Sequence, residues 1–511
     1  MAVKTVPVAG QYGVIADQPP QELPVNAWTR AVNIRFKDGL AERMNGEYQI
    51  FTTTSVVPYY VDAYQTGTKR YFVHAGLVSV FADDGVTRTN ITNAAPYTGA
   101  QDDRWTGGTL NGVWIANNGV DKPQFWGGNV ATPMATLTAW PATYKAGVVR
   151  PFKNYLVALN ITKGAVNYPN MVKWSSSAVP GAIPASWDET DPTKDAGEVD
   201  LSEESSQLID CMPLGDMNVI YKERAMYGQY PGGYPYVWTF RRLPGGVGAL
   251  GRGCVAESPL GHVVLTAGDV IVHNGQGPRS IINARLRNDL FNNIDSSTYK
   301  RSWVMANPSL NEVWVAVTQV GDSVPSKVYI WNYTDDTWTT RDLIRAAYGA
   351  VGQVTTGADT WASTSGTWAT DTGYWNQDPF SPASARLLTC STDSRISLVD
   401  SGGDFNGTAY ASVLERTGLH LDAPEVVKTM NAIEPRFTAI VGTQVQITFG
   451  SSMDVEGAVT WGTPIVYTVG SSYRAYSFVT GRFLAVRFTS LDNNYWRLKS
   501  YDIHYTTGGR W

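Results

Sequence analysis

The residues best suited to chemistry are few and scattered. Five histidines, His74, His262, His273, His420 and His504, are spread over 511 residues. None falls in an HExxH pattern or another tight metal-ligand spacing. His262 and His273 flank one apparent hairpin, so their rings could meet across two strands, and the expected role is structural. Cys211, Cys254 and Cys390 are odd in number and far apart, with no CxxC pair. They read as three small core residues in a reducing cytoplasm. No GxSxG marks a nucleophile elbow, and no GxxxxGK[ST] loop could cradle a phosphate. The run Gly245 to Gly251 lacks the strand–turn–helix context and downstream acid of a dinucleotide site, so it reads as a turn. Thr334 to Trp338 is a poor match to the Asp-box turns of propeller glycosidases, lacking both the glycine and the repetition. The sequons at Asn90, Asn160, Asn332 and Asn406 carry no weight without a secretory signal. These residues predict no catalytic, metal or cofactor site and a chain that is not an enzyme.

Composition describes what must position such a chain. Charged residues make up 17%, while Gly (49), Pro (27), Trp (18) and Tyr (27) are abundant. Many turns and many aromatics favour short strands over helices. The net charge of −5 and the absence of a Lys/Arg-rich run argue against a surface that grips nucleic acid through its phosphates. The first ten residues lack a signal-peptide core, and no apolar run approaches the 18 residues of a membrane span.

Three segments are expected. Residues 1–57 read as an extended, Pro-punctuated arm carrying a hairpin, in which Ile34 and Phe36 alternate with charged residues and Asp38-Gly39 turns the chain. Residues 58–407 repeat a strand–turn–strand unit roughly every 40 to 50 residues, the period of a β-propeller blade, giving six or seven blades. Its clearest unit is Lys327 to Leu343, with a strand ending at Trp331, a turn at Asp335-Asp336 and a strand from Trp338. Ile282, Leu286, Leu290 and Ile294 form a helical stripe, read as a crossover on the rim. Residues 408–511 alternate strictly, as in Val445, Ile447, Phe449 and in Leu484, Val486, Phe488, and predict a C-terminal β-sandwich. The fold class is therefore all-β.

Two aromatic segments are candidate interface or lumen loops. One runs from Tyr227 to Tyr236 and holds Tyr227, Tyr230, Tyr234 and Tyr236. The other, Thr355 to Ser384, carries Trp361, Trp368 and Trp375 among Gly, Ser and Thr. Aromatic loops that face solvent commonly bind a partner.

Four stretches together resemble the tail nozzle family of short-tailed bacteriophages, also called tail hub or packaged-DNA stabilisation proteins. They are Asn33 to Gly46 (NIRFKDGLAERMNG), the WSSS…ASW…DAG run from Trp174 to Gly197, Gly248 to Ile281 with the helix and Lys327 to Thr340 after it, and the closing Tyr495 to Trp511. The resemblance implies a structural virion protein, made in the host bacterial cytoplasm and placed in the tail. It implies a homohexameric ring below the portal and adaptor that retains the packaged genome. Double-stranded DNA would pass through the lumen without sequence-specific binding, and tail fibres or spikes would dock outside. No lumen-gating loop can be matched residue by residue. The terminal segments could pair into one platform facing the neck. A receptor-binding or glycan-degrading tail component is the alternative.

Overall fold

The computed structural model describes residues 2–66, 69–233, 236–353, 385–455 and 457–510. Almost every element is a strand, and the sheets are small. Six separate sheets have four strands each, and a ten-stranded sheet opens with four more in the same up-and-down order. In chain order the first strands of these arrays are Tyr60–Thr66, Thr106–Leu110, Tyr144–Phe152, Leu208–Leu214, Val255–Ser258, Trp303–Asn307 and Ala346–Gln353. These first strands face one another around an axis.

Each array is too thin to bury its own faces, so neighbours share cores. Val113 and Ile115 of the second pack with Val149 and Leu156 of the third. Val157 of the third packs with Cys211 and Ile220 of the fourth, whose other face, through Val219 and Tyr221, meets Val264 and Ile271 of the fifth. Val263 and Val270 of the fifth meet Val313 and Val315 of the sixth. One cluster then joins the sixth, seventh, first and second arrays, so the succession closes on itself. At the closure Tyr60 stacks on Tyr348 with ring centroids 5.0 Å apart. Gly352 permits this approach, because a Cβ there would lie 2.5 Å from the Phe72 ring. A closed succession of four-stranded antiparallel sheets is a β-propeller.

Turn chemistry explains the hairpins. Asp38 and Gly39 both have positive φ, 52° and 74°, which is what a two-residue turn between Lys37 and Leu40 requires. In the sixth array Trp331 and Trp338 pair across the hairpin, and Asp336 sits at φ 50°. The expected helix is shorter than its stripe. Only Arg287–Asn293 is helical. Ile282 and Leu286 precede it in a turn, and with Leu290 they are buried. Asp289 on the helix accepts hydrogen bonds from Lys327 and Tyr329, 2.8 and 2.7 Å, pinning it to the sixth array.

The C-terminal strands form two facing sheets. One is the far half of the ten-stranded sheet, with Val413–Leu419, Gln444–Ser452 and Phe483–Ser490. The other is six-stranded and is built on Val426–Ala439 and Trp496–Arg510. Val445, Ile447, Phe449, Leu484, Val486 and Phe488 all point into the space between, as the alternation requires. Phe488 packs on Tyr501 and Phe437 of the opposite sheet at 5.4 and 6.0 Å.

Residues 1–57, expected as an arm, mostly pair inward instead. Ala2–Val6 and the hairpin Ile34–Lys37/Leu40–Arg43 join Trp496–Arg510 in the six-stranded sheet. Arg30–Val32 sits between Thr337–Asp342 and Val413–Leu419, and so fuses the sixth array to the C-terminal strands. Glu47–Gln49 supplies the fourth strand of the seventh array, paired with Arg395–Val399. The patterning of Ile34 and Phe36 marks a strand that pairs with Leu40–Arg43 across the Asp38-Gly39 turn; the second partner of Leu40–Arg43, Trp496–Arg510, lies more than 450 residues away in sequence.

A buried ionic network holds this junction. Arg35 donates to Glu312 through Nε and to Asp400 through Nη2 at 2.7 Å. Arg341 reaches Asp400 at 3.3 Å and the Gly46 carbonyl at 3.0 Å. Trp314 Nε1 donates to Glu312 at 3.0 Å. Each cation has an anion, as buried charges need.

Candidate functional site

The axis of the ring is the first place to look for a site or a conduit. It is filled by side chains from the first strands. Arg150 grips Asp210 through both Nε and Nη2, 3.0 and 2.9 Å, and Asp210 also accepts from the Gly253 amide at 2.9 Å. Burial disfavours both charges, yet the pair prevails: Arg150 is raised and the Asp210 carboxyl is held below the usual range. Tyr60, Tyr348 and Arg104 pack around them, with the Arg104 guanidinium 5.2 Å above the Tyr348 ring. Asp62 on the same first strand accepts from Trp114 Nε1 at 2.9 Å, and burial raises its pKa. Packed this way, the axis of one chain cannot pass a double helix.

His262 and His273 face each other in register across their hairpin. Tyr221, from the fourth array, bridges them with 2.7 Å to each. His262 Nε2–H donates to the Pro213 carbonyl (2.8 Å), so its Nδ1 accepts from the tyrosine hydroxyl. The hydroxyl in turn accepts from His273 Nε2–H, and His273 Nδ1 accepts from the Gly275 amide (3.3 Å). This directional chain satisfies two neutral imidazoles completely. Burial pushes both down to about 4, His262 adding to the effect on His273. The three cysteines are buried, and burial raises each thiol to about 12, far from a reactive thiolate. Among the described residues no group of three His, Cys, Asp or Glu could hold a metal ion. No helix among the described residues is long and apolar enough to cross a membrane.

The aromatic candidates separate. Tyr227 and Tyr230 are not loop residues: they lie in the strand Met226–Pro231, Tyr227 buried and Tyr230 half-buried. Lys222 and Arg241 stand over their rings. Reading the run as a loop missed that Pro231 ends a strand rather than preventing one. Tyr236 does lie in the connection to Trp238–Arg242 and is 73% exposed. Tyr234, Trp361, Trp368 and Trp375, with the segment Thr355 to Ser384, lie outside the described residues.

A different aromatic surface emerges at the C-terminal sheet. Ala475–Gly481 is the outermost strand of the six-stranded sheet, paired on one side with Val426–Ala439. Phe478 is 78% exposed, Tyr476 lies exposed two residues before it, and Tyr473 lies just outside the strand. An edge strand with outward aromatics is a ready surface for another chain. The alternation Tyr476-Ser477-Phe478-Val479-Thr480 was available in the sequence as its signal.

The class defined by the topology is a mostly-β chain of β-propeller type. No family model and no curated protein matches it. Among solved structures it is similar to a chain of the mitotic checkpoint complex (10% identity over 70% of this chain and 93% of that one, TM-score 0.39). It is also similar to the WD40 β-propeller domain of Doa1 (10%, 70% and 97%, TM-score 0.30) and to the WD40 domain of Toxoplasma gondii coronin (9%, 72% and 87%, TM-score 0.36). With scores this low, the propeller assignment rests on strand pairing.

Proposed function

We propose that this chain is a structural subunit of a bacteriophage tail nozzle, six copies of which form a ring below the portal and adaptor. Reading each four-stranded array as a blade gives seven blades. The facing C-terminal sheets then form a β-sandwich completed by residues from the N-terminus. The observation that carries the reading is the pairing of two segments singled out by the family resemblance. The hairpin within Asn33 to Gly46 and the strand Trp496–Arg510 lie side by side, with Ala41 opposite Leu498 and Glu42 opposite Arg497. Tyr495 and Arg497 both donate to the Glu42 carboxylate. They thus make one platform of the kind expected to face the neck.

With the axis of one chain filled, the DNA conduit would run between copies rather than within one. A ring closed by rotation uses a different patch on each side of the subunit. An acidic chain of net charge −5 would repel phosphates enough to let DNA slide. Tail fibres or spikes would take the outer face. Cryo-electron microscopy of the particle that carries this chain tests the proposal. A six-fold ring at the distal end of the portal–adaptor stack supports it. A three-fold peripheral appendage would make the chain a receptor-binding component, and absence from the particle would overturn the phage reading.

A further inference from the structure

Arg104 differs from the other buried cations of the propeller. Arg35, Arg150 and Arg341 each meet a carboxylate. Arg104 is 8% exposed, yet its hydrogen bond among the described residues is a long one, 3.4 Å, to the Lys300 carbonyl. Its Nη2 has no hydrogen-bond partner there. The Tyr348 ring below offers only a cation–π contact. Burial lowers its pKa, and the nearby charge of Arg301 acts in the same direction. Arg301 itself is taken up by Asp102 at 2.5 Å and by the Ser323 carbonyl at 2.7 Å. A buried guanidinium without an anion is costly, and an anion brought to it would be held strongly.

Arg104 also lines a cavity of about 10 Å³. Its walls include Tyr59 beside the first array, Trp105 before the second, Arg301 before the sixth and Ala347 of the seventh. The Asp103 carboxylate on the wall is engaged by the Ala100 amide at 2.9 Å. A space of this size, the room open to the centre of a water-sized sphere, admits a single small particle. Phosphate and carboxylate ligands are too big for it. We propose that a single monatomic anion, a halide, binds in this cavity against Arg104 Nη2. There it would neutralise the guanidinium and tie together the arrays at which the ring closes.

Bromide is the probe. Thermal unfolding of the full chain is compared in sodium bromide and in sodium gluconate at equal ionic strength. Crystals grown in bromide are measured at its absorption edge. The expected result is a rise in Tm of roughly 1–3 °C in bromide that grows with the logarithm of its concentration. An anomalous peak within hydrogen-bond distance of Arg104 Nη2 should accompany it, and R104M should lose the halide-dependent rise. If R104M does not fold, the wild-type Tm series and the anomalous map still decide. A water without anomalous signal at that position, with identical Tm in the two salts, would overturn the proposal.

Discussion

Replacing Arg35 by methionine should loosen the junction between the propeller and the C-terminal sheets. Methionine keeps much of the length and removes the charge. Arg35 and Glu312 have side chains 6% and 1% exposed, so both charges are screened very little by water. The substitution removes the bonds to Glu312 and the 2.7 Å bond to Asp400. Glu312 would keep only the Trp314 indole as donor, whereas Asp400 would keep Arg341 at 3.3 Å. Breaking a buried pair by deleting one partner costs about 3–5 kcal/mol. Asp400 is partly exposed and remains paired, which puts the expected loss at the lower end, about 3 kcal/mol. Hydrogen exchange localises the effect: opening free energies should fall by that amount for amides of Ile34–Arg43 and Arg395–Val399, and little in the third and fourth arrays. The double variant R35M/E312Q should recover part of the loss, because Glu312 no longer leaves an unpaired buried charge and Asp400 keeps Arg341. A loss below about 1 kcal/mol for R35M, the size of an exposed pair, would refute the buried-network reasoning.

The His262–Tyr221–His273 chain makes stability depend on pH with a definite sign. Both folded pKa values, about 4, lie below the ordinary 6.5, so the unfolded chain binds more protons between them. Stability should be intact above pH 6.5 and fall as pH drops towards 4, by up to about 3 kcal/mol per ring, measured by denaturant unfolding across that window. Tyr221→Phe should cost about 1–3 kcal/mol at neutral pH, read in urea, because it leaves an imidazole acceptor and a donor unpaired in the core. Gly46→Ala should abolish soluble folded protein on expression, since its Cβ would fall 1.7 Å from the Asp404 carbonyl oxygen. Y476S/F478S should leave the monomer's stability within about 0.5 kcal/mol, as exposed substitutions do. If the edge strand Ala475–Gly481 serves a copy-to-copy contact, the same variant should lose ring formation in light scattering; intact rings would remove that surface from the interface.

Much of the local architecture was legible because it depends on neighbours in sequence. Asp38-Gly39, the Trp331/Trp338 hairpin and the alternation of Val445, Ile447 and Phe449 all obey rules spanning a few residues. The confrontation of His262 with His273 was readable for the same reason. What escaped was long-range pairing. Nothing near Glu47 states that it will lie beside Val399, and nothing near Arg30 places it between two sheets. The helical stripe from Ile282 to Ile294 gave Ile282, Leu286 and Leu290 as buried residues and Ile294 as a partly buried one, but the turn before Arg287 buries Ile282 without a helix. Tyr227 shows how aromatic content near Gly and Pro can mislead: the ring is buried in the core of a strand and is not on a loop. The axial set of Arg104, Arg150 and Asp210 could not be seen, because its members come from separate arrays and carry no common spacing.

The fourth strand of the seventh array comes from the beginning of the chain, and this sets a schedule for synthesis. Glu47 leaves the ribosome early, but its partner Val399 follows about 350 residues later. At roughly 5–20 residues per second that interval is about 20–70 seconds. Ala2 waits longer still for Tyr505. Throughout that time the early strands present unpaired edges and an apolar face to their surroundings, an invitation to aggregation or to pairing with a neighbouring nascent chain. The propeller therefore closes only once Arg395–Val399 has been made, and a chain cut short before the last strands cannot complete the six-stranded sheet. The N-terminal strands thus find their partners only in molecules translated nearly as far as Tyr505.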